Sequence, residues 1–310
     1  MRWLRQKSQN LETLIHFKPM MKYFLLLTLS FFSLFASDAF VTPAQLKSSL
    51  NDKNIIILDV SNEELYITSH IKGAIHTNVK MFIDKNPLNK YPTLASDEII
   101  QVALRKLGIN DDSKVIIYSH NSKEAIFDSS YLAFILLYSG LEDVSILDGG
   151  YMAWVFENNL LVSSLIPKIK NGTVTIKPKK HLIATTNDLQ NSDVKILDAR
   201  PYDDYYGISR SDGVLGVGHI KGAKCSYTAT KFLKDNTLRT KSELDDIYLA
   251  GFALDNDSEI IVYSRDALSA SMEFFIVYQY MGFKNTKLYE ASLLEWGNEK
   301  NLSMTRFKWE

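Results

Sequence analysis

The sequence predicts an α/β protein of two tandem domains, each a parallel sheet flanked by helices, on three observations. The pentapeptide His70-Ile71-Lys72-Gly73-Ala74 recurs unchanged as His219-Ile220-Lys221-Gly222-Ala223, and self-similarity of this kind marks a repeated structural unit. Each copy is preceded by an apolar run ending in aspartate (55–59 and 194–198) and followed by one ending in Tyr-Ser (115–119 and 260–264). Short β-branched runs of this sort suit strands covered on both faces, and here they alternate with helical patterns at 125–139 and 268–281.

Taken in order, residues 1–37 read as an N-terminal extension and an export signal. Met21-Lys22 precedes the apolar run 23–36, and small residues follow at Ser37 and Ala39, the layout of a signal peptide. The run is shorter than the roughly 20 apolar residues a membrane-spanning helix needs. The expectation is an exported, periplasmic protein with no membrane span after cleavage, which would follow Ala36, Ser37 or Ala39. An uncleaved N-terminal anchor is the alternative. Residues 1–19 read as an upstream extension, because Met20 and Met21 each begin a conventional signal.

The first domain is expected over 38–160. Thr42-Pro43 supplies a hydroxyl N-cap and a proline at the first helical position, and the domain closes with a helix bearing Trp154. A linker at 161–182 carries Pro167, Asn171-Gly172, Pro178 and several lysines, as a surface connection between domains should. The second domain, 183–310, repeats the order and closes at Trp296. Its stretch from Asp198 to His219 is longer than that from Asp59 to His70, and the extra residues near 202–218 are rich in Tyr, Asp, Ser and Gly. They read as an exposed loop.

Composition narrows the function. The chain has 310 residues, 46% of them hydrophobic, and a formal net charge of −1. That balance gives no reason to expect nucleic acid or an anionic membrane surface as partner. Cys225 is the only cysteine, so no intrachain disulfide and no cysteine-rich metal site is possible. The six histidines show no ligand spacing, and no metal or cofactor is expected.

These landmarks resemble the tandem rhodanese family, which includes thiosulfate and 3-mercaptopyruvate sulfurtransferases. The resemblance covers nearly all of 41–299. It rests on the two His-Ile-Lys-Gly-Ala turns, the Asp198-Ala199-Arg200 strand end, the segment 147–154 and the second-domain order of 260–271, Gly282-Phe283 and Glu295-Trp296. It implies two rhodanese-like domains, the second of catalytic type and the first a non-catalytic copy. In the family a cysteine opens a tight strand-to-helix loop, where backbone N–H groups and the helix N-terminus stabilise its thiolate. The loop here is 264–270, with Ser264 at the cysteine position and Ala267 at the usual glycine position. Arg200 and Arg265 match the positions implied to bind a donor anion, with Asp266, Ala267, Leu268 and Ser269 completing the site. Asp266 places a negative charge where an anion prefers none. The first-domain loop, 119–124, lacks cysteine as well.

A serine hydroxyl ionises far above a thiol, whose ordinary pKa is about 8.5, and sulfur captured on oxygen would be held by a weak, hydrolysable bond. The resemblance therefore implies transfer of sulfane sulfur from thiosulfate or 3-mercaptopyruvate to a thiol or cyanide acceptor, with catalysis impaired at Ser264. A non-catalytic binder of a sulfur oxyanion and a protein-interaction module are the alternatives. Among the remaining residues, Cys225 reads as structural filling, and His70 and His219 as parts of a shared structural turn. Asp59 and Asp198 read as strand-end anchors, the 255–259 segment as a polar turn, and Trp154 and Trp296 as packing residues.

Overall fold

The structure is a computed structural model that describes residues 38–84, 90–120, 125–157, 161–190 and 193–310. The expected export segment lies, up to residue 37, outside the described residues. Among those described, no helix is long and apolar enough to cross a membrane.

In the first domain the elements run β1 (Phe40–Val41), α1 (Pro43–Ser49), β2 (Ile55–Asp59), α2 (Glu63–Thr68), β3 (His70–Ile71), β4 (Ile75–His76), α3 (Asp97–Lys106), β5 (Lys114–Tyr118), α4 (Ala125–Tyr138), β6 (Val144–Leu147), α5 (Gly150–Phe156) and β7 (Val162–Ser163). Thr42 caps α1 in a full capping box with Gln45, satisfying N–H groups that the first turn leaves unpaired. The sheet is parallel throughout, in the order β1-β6-β5-β2-β4. Its central strand β5 is apolar on both faces because helices cover both.

The second domain repeats this plan with β8 (Ile183–Ala184), β9 (Lys195–Asp198), α6 (Tyr202–Tyr206), β10 (His219–Ile220), β11 (Ala223–Cys225), α7 (Lys241–Asp245), β12 (Ile260–Tyr263), α8 (Ala267–Phe275), β13 (Thr286–Tyr289), α9 (Ser292–Trp296) and β14 (Met304–Thr305). Its parallel sheet runs β8-β13-β12-β9-β11, the first sheet's order element for element. The repeated pentapeptide forms the same turn twice. Gly73 and Gly222 take φ of +86° and +82°, a conformation that costs glycine no steric clash. His70 and His219 are buried, each with Nδ1 on a tyrosine carbonyl, Tyr66 at 2.7 Å and Tyr205 at 2.9 Å.

Three details differ from the sequence reading. The 202–218 insertion is not all exposed loop: it begins with α6, whose Tyr205 is fully buried and bonded to the Ala223 carbonyl. The linker contributes β7, which pairs antiparallel with β3, and then runs along the first domain through N–H bonds from Gly172, Val174, Lys177 and Lys179. The helical stretch 268–281 divides into α8 and a π-helical turn, Ile276–Tyr280.

The domains meet through α4 and α8. Ser130 and Ser271 share a hydroxyl bond of 2.7 Å, and Phe134 meets Phe274 edge to face at 5.1 Å. Flanking this seam are two matched clasps. The Leu238 N–H donates to Asp148 Oδ1 at 2.8 Å, and the Leu94 N–H donates to Glu290 Oε1. Each carboxylate follows the equivalent strand, β6 or β13, and each donor comes from the other domain.

Candidate functional site

Sheets of this kind expose chemistry beyond the carboxyl ends of their strands, and the 264–269 loop leaves the end of β12. Next to it, β9 ends in Asp198, paired in register with Tyr263. Asp198 is wholly buried and takes the backbone N–H of Arg200 on Oδ1 at 3.0 Å and the Tyr263 hydroxyl on Oδ2 at 2.6 Å. In the first domain Asp59 accepts the Ser61 N–H at 2.8 Å in the same way. Both aspartates anchor strand ends.

Arg200 lies inside the domain. Its side chain is 4% exposed, with Nε on Asp198 Oδ1 at 2.9 Å and Nη2 on Asp198 Oδ2 at 2.5 Å and on the Gly218 carbonyl at 2.6 Å. Burial disfavours its charge, but Asp198 more than compensates and holds its pKa above the ordinary arginine value. The resemblance implies direct contact with a ligand; the structure instead spends these donors on Asp198 and the insertion, a bidentate pairing suited to arginine's planar fork.

The loop itself is tightly tied. Ser264 is buried, its N–H donating to Ser292 Oγ at 3.3 Å. The Ser264 and Arg265 carbonyls accept the N–H groups of Leu293 and Leu294, at 3.2 and 3.0 Å, so the loop satisfies first-turn donors of α9. Ser292 holds a φ of +50°, a left-handed conformation uncommon for serine, and its hydroxyl is fixed on the Tyr289 carbonyl at 2.7 Å. Asp266 caps α8: Oδ1 takes the Ser269 N–H at 2.8 Å and the Ser269 hydroxyl at 2.7 Å. Its other oxygen pairs with Arg265 Nη2 at 2.5 Å. Ala267 is buried, and Leu268 and Ser269 are half-buried beside it.

The surroundings are acidic. Glu290 follows β13, two residues before Ser292, and burial pushes its carboxyl up to about 7. Tyr131 of α4 lies within electrostatic reach of Glu290 and Asp266. On the same helix, burial pushes Asp128 up to about 6, with Lys80 opposing. The sequence reading passed over Glu290. Aligning the two repeats would have found it, because Glu290 follows Tyr289 as Asp148 follows Leu147.

Cys225 ends β11, half-buried, with Sγ 3.8 Å from the Arg200 carbonyl. Burial, with Asp198 adding to it, pushes the thiol up to about 12. Beneath it lies a polar network that sequence reasoning also missed. Glu273 Oε1 accepts the hydroxyls of Ser226 (2.6 Å) and Tyr248 (2.7 Å), while Lys231 Nζ bonds Ser226 Oγ at 2.9 Å. Burial lowers the Lys231 pKa, against the pull of Glu273. In the first domain Phe82 takes the place of Lys231 after the repeated turn, so this ion pair belongs to one copy alone. The first-domain loop has Ser119 buried and His120 stacked on Tyr151 at 3.8 Å. His120 Nε2 stands 3.8 Å from Asp59 Oδ2, and burial lowers the imidazole pKa although Asp59 opposes this. Residues 121–124 of that loop lie outside the described residues.

Known proteins place the fold. The chain is 26% identical over 276 residues to the sulfur carrier protein TtuD of Thermus thermophilus, covering 84% of this chain and 94% of that one. It is 27% identical over 249 residues to the 3-mercaptopyruvate sulfurtransferase of Escherichia coli K12, covering 78% and 85%. Among solved structures, EanB superposes with a TM-score of 0.76 at 20% identity, over 86% of this chain and 69% of that one. YnjE superposes at 0.74 with 22% identity, over 87% and 68%. The family model of the rhodanese-like domain matches twice, over residues 42–157 and 184–299. Two parallel sheets of one topology, two copies of one turn and two matches to one domain agree: the chain belongs to the rhodanese family, as a tandem of two rhodanese-like domains.

Proposed function

We propose that this is an exported sulfurtransferase-family protein whose second-domain loop transfers sulfane sulfur poorly or not at all. Its nominal donors are thiosulfate and 3-mercaptopyruvate, with a thiol or cyanide as acceptor; its relatives named as thiosulfate and 3-mercaptopyruvate sulfurtransferases support the donors. Export is supported by the sequence of the 21–39 segment. The observation that carries the loss of activity is the state of the loop around Ser264. A persulfide carrier needs a thiolate, stabilised by the α8 N-terminus and by a cation. Here the nucleophile position is a hydroxyl, the α8 N-terminus is capped by the protein's own Asp266 carboxylate, and Arg265 is paired with that same carboxylate. Cys225 is a poor replacement, since a thiol pushed up to about 12 is almost wholly protonated at neutral pH.

Turnover with both donors, measured for wild type beside Ser264→Cys and Ser264→Cys/Asp266→Asn, tests this. Wild type is expected to be silent, the single variant to gain activity and the double variant to gain more. Wild-type turnover at the level of an ordinary sulfurtransferase would overturn the proposal. A second reading, a non-catalytic binder of a small sulfur oxyanion, is favoured by one observation: Arg265 is 43% exposed and can exchange Asp266 for a ligand. Thiosulfate-dependent thermal stabilisation that vanishes in Arg265→Ala supports that reading.

A further inference from the structure

We propose that residues 161–170, the first stretch of the linker, form a docking strip for the surface of an anionic lipid bilayer. The strip is fastened to the first domain by its main chain. The Lys72 N–H donates to the Leu161 carbonyl at 2.9 Å, and Val162 pairs with Ile71. The Leu165 carbonyl lies 3.2 Å from His70 Nε2, and just beyond the strip the Gly172 N–H donates to the Arg105 carbonyl at 2.7 Å. Main-chain fastening leaves the side chains outside. Leu165 is 80% exposed and Ile166 65%, and Leu161, Val162 and Ile169 are exposed as well. Single exposed aliphatics are ordinary on a protein surface, but five within nine residues make a patch, and patches mark contact sites.

Charge names the partner. From 158 to 187 the sequence holds five lysines and no aspartate or glutamate, a clustering that the net charge of −1 conceals. Lys179 is paired with Glu142 at 3.5 Å, and Lys180 lies within electrostatic reach of Glu98. Lys168 and Lys170 in the strip, and Lys72 bonded to its start, are exposed and meet no carboxylate among the described residues. A protein partner fits this surface poorly, because protein interfaces favour aromatic residues and arginine and avoid lysine. The strip has no aromatic residue and no arginine. Aliphatic side chains that enter the acyl boundary, beside lysines that reach anionic headgroups, are what a bilayer surface binds.

An environment-sensitive nitrobenzoxadiazole label tests this in the full chain, placed on Ser164→Cys in a Cys225→Ser background. A label at 164 reports on the strip itself, whatever the apolar run 23–36 does. Vesicles of equal parts phosphatidylglycerol and phosphatidylcholine should brighten it and shift its emission to the blue. Pure phosphatidylcholine should not, and a control label on Lys300→Cys should stay unchanged. Lys168→Gln/Lys170→Gln should raise the lipid needed for half the response by about thirtyfold, at about a kilocalorie per mole for each lysine near the surface. Leu165→Ser/Ile166→Ser should abolish the blue shift while the melting temperature holds. A silent label at 164, an equal response to pure phosphatidylcholine, or an undiminished response in the lysine variant would each overturn the proposal. So would a label already shielded before lipid is added, which would mean that a second copy or the chain's own apolar run covers the strip.

Discussion

Tyr263 holds two parts of the second domain at once: its hydroxyl donates to Asp198 at 2.6 Å and accepts the Ile220 N–H at 3.1 Å. The repeated turn is thus fastened to β9 and β12 through a phenol, and Tyr118 accepts the Ile71 N–H at 3.0 Å in the first domain. Tyr263→Phe leaves the buried Ile220 N–H without this partner, while Asp198 Oδ2 keeps Arg200. Orphaning one buried group costs about 1–3 kcal/mol. Urea denaturation should show the loss as a lower midpoint with an unchanged slope, and an unchanged midpoint would refute the linkage.

Arg200 and Arg265 should separate under mutation. Arg200→Ala removes one partner of a buried ion pair, a change that costs about 3–5 kcal/mol, and it should lower the melting temperature whether or not thiosulfate is present. Arg265→Ala breaks a partly exposed pair, where the cost is about 0–1 kcal/mol. Its melting temperature should match wild type without anion, and any stabilisation by thiosulfate should be gone. Paired melts of the two variants decide the matter.

The interdomain clasps carry a pH signature. Burial raises Asp148 to about 6 and Glu290 to about 7, above the ordinary carboxylate range of unfolded chains. The folded state therefore binds protons that the unfolded state has already released, and stability falls as pH rises from about 4 to about 7. Melting temperatures from pH 4 to pH 8 should decline less steeply in Asp148→Asn and Glu290→Gln than in wild type. Parallel curves would show that these carboxyls do not titrate as their burial dictates.

Cys225 should be quiet in the folded protein. A thiol pushed up to about 12 is roughly one part in ten thousand thiolate at pH 8, and alkylation requires the thiolate. Iodoacetamide should label it slowly under native conditions and rapidly in urea. Fast native labelling, or a persulfide on Cys225 after exposure to thiosulfate, would make it a sulfur carrier after all.

Much of the fold was legible because the same unit is written twice. The recurrence of His-Ile-Lys-Gly-Ala aligned the domains, and the apolar runs ending at Asp59 and Asp198 located the sheet edge. The roles of His70, His219 and the two aspartates follow from being shared by both copies. Features belonging to one copy were harder to read. Arg200 stands where the family motif puts it, but its direction depends on Gly218 and Ser211 in the insertion. Lys231 and Glu273 find each other across 42 positions, a distance at which periodicity says which residues are buried and nothing about their partners. The α6 helix escaped notice because five residues give too short a pattern to recognise.

The two clasps are one contact made in opposite directions, Leu238 to Asp148 and Leu94 to Glu290. An interface in which each side offers the same pair of features is self-complementary, as in a two-fold homodimer. Its instructions reside in each half separately. A chain cut within 164–170 still carries both members of both clasps, one donor and one acceptor on each fragment, and its second fragment keeps the linker N–H groups that bond the first domain.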